Sequence, residues 1–205
     1  MATRKIDTQI ARDSHWKDMP IRVRYFWFYL LTTDFSKTVG IFHLPLDIVS
    51  QETDLDISEI KQYLMTLTDM HLLLYSPETS EVVIFNYPKY NIFGWNKSLE
   101  CQITNELSTV KNLNLIQIIS SFIQNYIITR PNDKRSVFLS KVLGCCEIAL
   151  KPLKEKEKTL DKDKDEDKDK ENENGMEDKL IVHTNNFEDD NWEAMQRIVH
   201  YPWYE

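Results

Sequence analysis

The chain has 205 residues, 41% of them hydrophobic, and a formal net charge of −8. That supports one domain-sized core with a small appendage, and no stretch approaches the roughly 18 to 20 consecutive apolar residues that a membrane helix needs. The opening Met1-Ala2-Thr3-Arg4-Lys5-Ile6-Asp7 lacks the apolar centre of a secretion signal, so a cytoplasmic protein without a membrane partner is expected.

The charge is unevenly held. Residues 1–150 carry 15 Lys+Arg against 16 Asp+Glu, whereas residues 151–205 carry 10 against 17. The acidity therefore belongs to the tail, and a nucleic-acid partner stays open for the body.

Residues 1–18 read as a basic N-terminal arm, with Arg4, Lys5, Arg12 and Lys17. Such an arm can track a backbone or groove, or simply solubilise a terminus. In residues 20–32, Val23, Phe26, Trp27, Leu30 and Leu31 recur at i, i+3, i+4, i+7 and i+8, which marks one face of a helix that Asp18 is placed to cap. Arg22 and Arg24 lie along this helix. Tyr25, Phe28 and Tyr29 point to its other sides, so the aromatic run is read as packing and not as a base-stacking platform.

Ile41 to His43 is a short strand candidate, and Pro45 suits the first turn of a second helix ending near Thr53. Asp56 followed by Glu59 has the form of a capping box, and Ile57, Ile60, Leu64 and Leu67 continue one buried face to Met70. Leu72-Leu73-Leu74-Tyr75 and Val82-Val83-Ile84-Phe85 flank a polar turn and predict a hairpin. Helix, strand, helix, helix and hairpin in this order predict a winged helix over residues 19–92, with Trp27, Leu64 and Ile84 in one core.

Residues 93–151 read as a helical extension. Leu99, Ile103, Leu107 and Val110 mark a helix that Ser98 is placed to cap. Leu115, Ile118, Ile119, Phe122, Ile123 and Tyr126 mark a second, which packs on the winged helix or on another copy. A third, less regular at Gly144, covers residues 132–150. Residues 152–179 are Lys, Glu, Asp and Asn with few apolar residues, too polar to order a backbone, and predict a disordered charged linker. Residues 180–205 regain aromatic character among acids, and Phe187, Trp192, Tyr201, Trp203 and Tyr204 are the candidate partner-binding residues of a docking peptide. The fold class expected is mainly α with a small β-hairpin: a winged helix-turn-helix, additional helices and a disordered charged tail.

Three features carry the functional reading. If the third helix enters a major groove, its outer face is Ser58, Lys61, Gln62, Met65 and Thr66, with Gln62 able to read adenine and Lys61 guanine or phosphate. Arg22 and Arg24, with Lys89 and Lys97 beyond the wing, supply the electrostatic footprint. Residues 72–85 contain no Lys or Arg, which leaves the wing edge for pairing with another subunit.

Catalysis has no support. The four glycines form no phosphate-cradling loop, no Ser, His and Asp set shares a strand-turn-helix context, and Asp54 and Asp56 read as helix caps. Cys101, Cys145 and Cys146 form no disulfide framework, the five histidines lack ligand spacing, and neither metal nor cofactor is expected.

Several pieces in order resemble the N-terminal region of replisome-organizer, or replication-initiation, proteins of phages and prophages of Gram-positive bacteria, relatives of the primosome protein DnaD. They are Phe26-Trp27-Phe28-Tyr29-Leu30-Leu31-Thr32-Thr33, Gly40-Ile41-Phe42-His43-Leu44-Pro45-Leu46, the third helix, Phe85-Asn86-Tyr87-Pro88-Lys89-Tyr90-Asn91, Asn96-Lys97-Ser98, Glu106-Leu107 and Val110-Lys111-Asn112. The resemblance covers about residues 15–128. It implies a winged helix that self-associates, binds double-stranded DNA near an origin, and recruits a helicase, helicase loader or single-strand-binding protein in a bacterial host. Larger relatives add a helical domain ending in Tyr-x-x-x-Ile-x-x-Trp, and here the charged linker and acidic aromatic tail stand in its place without that motif. The alternatives are a protein-interaction adaptor or inhibitor of host machinery that uses the winged helix as a scaffold, and a transcriptional regulator of the same fold.

Overall fold

A computed structural model describes residues 10–12 and 14–166. The chain divides into two compact units, Met1–Ala149 and Leu150–Glu205. The first is mainly helical with a small antiparallel sheet.

A single 3-10 turn, Ile10–Arg12, leads into the short helix α1 (Ser14–Asp18) and then α2 (Ile21–Thr32). The capping expectation fails at α2. Asp18 ends α1, and Pro20 precedes α2 without a side-chain cap, because its fixed φ already suits a helix start. Val23, Phe26, Trp27 and Leu30 are buried at the predicted spacing.

After β1 (Ile41–His43), Pro45 stands at the cap position of α3 (Leu46–Thr53), one residue before the expected first turn. Asp54 closes α3 in the left-handed conformation at φ 54°, so it is a cap at the helix end and Asp56 one at the next helix start. That next helix, α4 (Ile57–Asp69), opens with the expected capping box, in which Glu59 Oε2 accepts the Asp56 N–H at 3.3 Å. Ile60, Leu64 and Leu67 are buried on α4, but Ile57 is 41% exposed, because at the first position it overhangs the end of the core. The helix ends in a Schellman motif: the Leu72 N–H donates to the Leu67 carbonyl at 3.0 Å, the His71 N–H to Thr68 at 2.8 Å, and His71 sits at φ 57°.

That turn delivers the chain into β2 (Leu73–Ser76) and β3 (Glu81–Ile84). The sheet has three strands in the order β1-β3-β2, all antiparallel, with Ile41 opposite Val83 and Leu74 opposite Val83 on the other side. Trp27, Leu64 and Ile84 share one core with Phe26, Leu30, Phe42, Ile60 and Val82, as the sequence predicts. Gly40 makes the approach to β1 possible. It lies at φ +84°, and a Cβ there would meet Tyr87 Cβ at 2.5 Å.

All four residues of β3 are buried, which an edge-covered hairpin does not require. Val82 and Ile84 face the α2–α4 core. Strand alternation turns Glu81 and Val83 to the opposite face, against the helical extension. The extension comprises α5 (Tyr87–Asn91), α6 (Lys97–Ser108), α7 (Leu113–Thr129) and α8 (Lys134–Glu166). Asn96, not Ser98, caps α6: its Oδ1 accepts the Leu99 N–H at 2.8 Å. Phe85 stacks on Phe122 of α7 with ring centroids 4.3 Å apart. Glu106 of α6 takes the Thr38 N–H and hydroxyl at 2.8 and 3.1 Å, which fastens α6 beside β1. Leu115, Ile116, Ile118, Ile119, Phe122 and Ile123 of α7 are buried within the chain itself, so this face is used internally and is not left for a second copy.

The helical backbone of α8 passes Gly144 and Pro152 and continues to Glu166, where a linker was expected from residue 152. The Lys and Glu that dominate this stretch are good helix formers once a preceding turn exists. Residues 167–205, with the rest of the expected linker and the whole tail peptide, lie outside the described residues.

Candidate nucleic-acid interface

The outer face of α4 carries Ser58, Lys61, Gln62 and Met65, all exposed, with Met65 68% accessible. Thr66 is half-buried and donates its hydroxyl back to the Gln62 carbonyl at 3.0 Å, which leaves it turned along the helix. Ser58, Lys61, Gln62 and Met65 do share one helix face. The sequence around them is poor in cations. Between residues 38 and 84 Lys61 is the single Lys or Arg against eight acids, Asp47, Glu52, Asp54, Asp56, Glu59, Asp69, Glu78 and Glu81.

The two predicted arginines of α2 are engaged in holding the fold. Arg22 Nη1 donates to Glu59 Oε1 at 2.7 Å and ties α2 to the start of α4. Glu59 also accepts from Tyr63, and the Asp56 N–H foremost, then Arg22, holds its carboxyl below the usual range. Arg24 donates through Nε to the Met19 carbonyl at 2.8 Å and through Nη2 to Lys17 at 2.6 Å, so it satisfies the end of α1. Lys97 is exposed at the first position of α6, apart from these residues. Of the basic arm, Arg12 and Lys17 are exposed, and Arg4 and Lys5 lie outside the described residues. So do the tail residues Phe187, Trp192, Tyr201, Trp203 and Tyr204.

Lys89 is different, because the fold surrounds it with residues that the sequence reading did not select. Its Nζ lies 4.8 Å from the ring centre of Tyr90 and 5.3 Å from that of Tyr126, near the end of α7. The Arg130 guanidinium lies 5.2 Å from the same Tyr126 ring. Tyr126 Oη donates to Asp133 Oδ2 at 2.5 Å, and Asp133 Oδ1 accepts the Arg135 N–H at 2.9 Å, which caps α8. The Tyr126 hydrogen bond, then the Arg135 N–H, hold the Asp133 carboxyl below its ordinary value. Partial burial, then Asp133, raises the Tyr126 phenol. Each shift keeps the pair as carboxylate and neutral phenol.

A signal for this cluster stands in the sequence. Arg130-Pro131-Asn132-Asp133-Lys134-Arg135 is a turn-forming hexapeptide with three cations between two helical patterns. Its partner Lys89 lies some forty positions away and joins it only through tertiary packing. Beside the cluster, Phe85, Pro88, Lys89, Phe122, Tyr126 and Leu139 line a recess of about 20 Å³. That is room for a single water, so the surface is a contact face and not a small-molecule pocket.

Among the described residues no three His, Cys, Asp or Glu side chains gather as a metal site, and no helix is long and apolar enough to cross a membrane. Comparison with protein-family models, curated proteins and solved structures finds no match to this chain.

Proposed function

We propose that the chain is a non-catalytic DNA-binding recruitment protein of the phage replisome-organizer kind, working in the bacterial cytoplasm, with residues 19–92 as a winged helix. The observation that carries this reading is the order α2, β1, α3, α4, β2, β3, closed by a β1-β3-β2 sheet, with Lys61 and Gln62 outward on α4. In this reading α4 reaches base edges, and the tail residues Phe187, Trp192, Tyr201, Trp203 and Tyr204 hold a helicase, loader or single-strand-binding protein. Self-association is part of the same proposal. It is supported by Ile21, Tyr25 and Phe28, exposed at i, i+4 and i+7 on α2. The test is titration of the full chain against labelled duplex DNA over a salt series. Binding that weakens with salt along a straight log–log line, and that loses strength in Lys61→Ala/Gln62→Ala, supports it; no binding at low salt removes it.

A second reading is a protein-interaction adaptor. It is favoured by the excess of acids over the one lysine in residues 38–84 and by the exposed Met65 and Ile57 on α4. Capture of host partners with and without residues 152–205 separates the two: loss of every partner on truncation, with no nucleic acid recovered, selects the adaptor.

A further inference from the structure

We infer that the cluster of Lys89, Arg130 and Arg135 around Tyr126 is a second contact site, which grips the phosphodiester backbone of a nucleic acid away from the α4 face. The inference rests on the DNA-binding reading above and gives it a place where the charge is adequate.

Lys89 of α5, Arg130 at the α7 end and Arg135 at the α8 start gather around Tyr126 and Asp133, whereas Lys61 is the one Lys or Arg against eight Asp and Glu in the sequence from residue 38 to 84. That carboxylate, on Asp133, is already satisfied: one oxygen takes the Tyr126 hydroxyl and the other the Arg135 N–H. It acts as a helix cap and a hydrogen-bond acceptor, and the nearby Arg135 and Lys89 help to keep it ionised. The aromatic rings hold two of the cations in place. Lys89 lies over both Tyr90 and Tyr126, and Arg130 over Tyr126, so part of the entropy cost of fixing long side chains is met before any ligand arrives. Tyr90, 39% exposed, adds a ring at the rim on which an unpaired base can stack.

A polyanion with regularly spaced phosphates fits such a face better than a single anion, because the cations arise from three elements and surround no enclosed pocket. Polymer binding releases condensed counterions, and each phosphate neutralised steepens the salt dependence by about 0.9 on duplex and about 0.7 on single strands.

The experiment measures anisotropy of the full-length chain with a labelled duplex and with an oligothymidylate of equal length, over a salt series. The variants are Lys89→Gln/Arg130→Gln/Arg135→Gln, Arg135→Gln alone, and Asp133→Asn. The triple variant is expected to bind at least about tenfold more weakly at low salt, with a salt slope shallower by about two or more. Asp133→Asn keeps a capping side chain and removes the carboxylate charge beside Lys89 and Arg135, so it is expected to bind a few-fold more tightly, an effect that a purely structural role would not give. Tighter oligothymidylate binding that weakens in a fourth variant, Tyr90→Ala, assigns the site to single strands, and tighter duplex binding assigns it to duplex. Thermal melting monitors folding, and if the triple variant is unfolded, Arg135→Gln and Asp133→Asn decide. A wild-type chain that binds DNA while the folded variants bind with unchanged affinity and slope overturns this inference alone. A wild-type chain that binds no DNA at low salt overturns it together with the functional reading.

Discussion

The carboxylate of Glu81, 4% exposed in the central strand, accepts the backbone N–H of Asn112 at 2.8 Å with one oxygen and that of Lys111 at 2.9 Å with the other. Asn112 in turn caps α7 and donates its side-chain amide to Ser76 Oγ at 3.0 Å. A strand of the small sheet thus sets the starting point of α7, and the face of β3 turned away from the main core is closed by it.

Glu81→Ala leaves two part-buried N–H groups without their acceptor, and a loss of about 2–4 kcal/mol is expected in urea unfolding. Glu81→Gln keeps one acceptor oxygen and should lose less. Equal stability of Glu81→Ala and wild type would mean that the extension is not anchored here.

Gly40→Ala is expected to destabilise by about 2 kcal/mol or more, since the new methyl meets Tyr87 Cβ at 2.5 Å in a backbone conformation that L-residues disfavour. The Tyr87 hydroxyl donates to Ser36 Oγ at 3.0 Å in the buried interior, so a displaced ring also breaks that bond. Thermal melting of the variant measures the loss.

Much of the first hundred residues was legible because local chemistry and burial agree there. Val23, Phe26, Trp27 and Leu30 keep helical spacing, Asp56 and Glu59 mark a helix start, and β1 runs over Ile41 to His43 as expected. What escaped the sequence depends on distant partners. Arg22 and Arg24 read as free charge until Glu59 and the Met19 and Lys17 carbonyls are seen to hold them. Glu81 reads as an ordinary strand-start acid, since nothing local shows that Lys111 and Asn112 will meet it. The Lys89–Arg130 juxtaposition exists only once α5 and the end of α7 come together around Tyr126.

The cysteines should separate by access. Cys101 is exposed, while Cys145 and Cys146 are buried; burial pushes the Cys146 thiol up to about 11 and raises Cys145. In the native chain a thiol reagent is expected to label Cys101 alone at neutral pH, with the other two reacting only on unfolding. Mass spectrometry of the labelled protein reads the outcome.

Tyr29 donates its hydroxyl to Glu52 Oε2 at 2.6 Å, and burial, then Glu52, pushes its phenol up to about 12 from 10.0. The folded state therefore keeps a proton that the unfolded state releases. The contribution is fully present below pH 10 and is lost as pH rises toward about 12. Tyr29→Phe should flatten this part of the alkaline stability profile, and phenolate absorbance should show one late-titrating tyrosine fewer.

In the proposed function, nucleic acid touches this chain at two places, the outer face of α4 and the cluster around Tyr126. Hydrogen exchange of the full-length protein with and without DNA at low salt measures this. Slower exchange on adding DNA is predicted over α4 around Lys61 and Gln62, and around Lys89, Tyr126 and Arg135, with the α3 amides unchanged. Exchange that is the same with and without DNA at every one of these positions would contradict it.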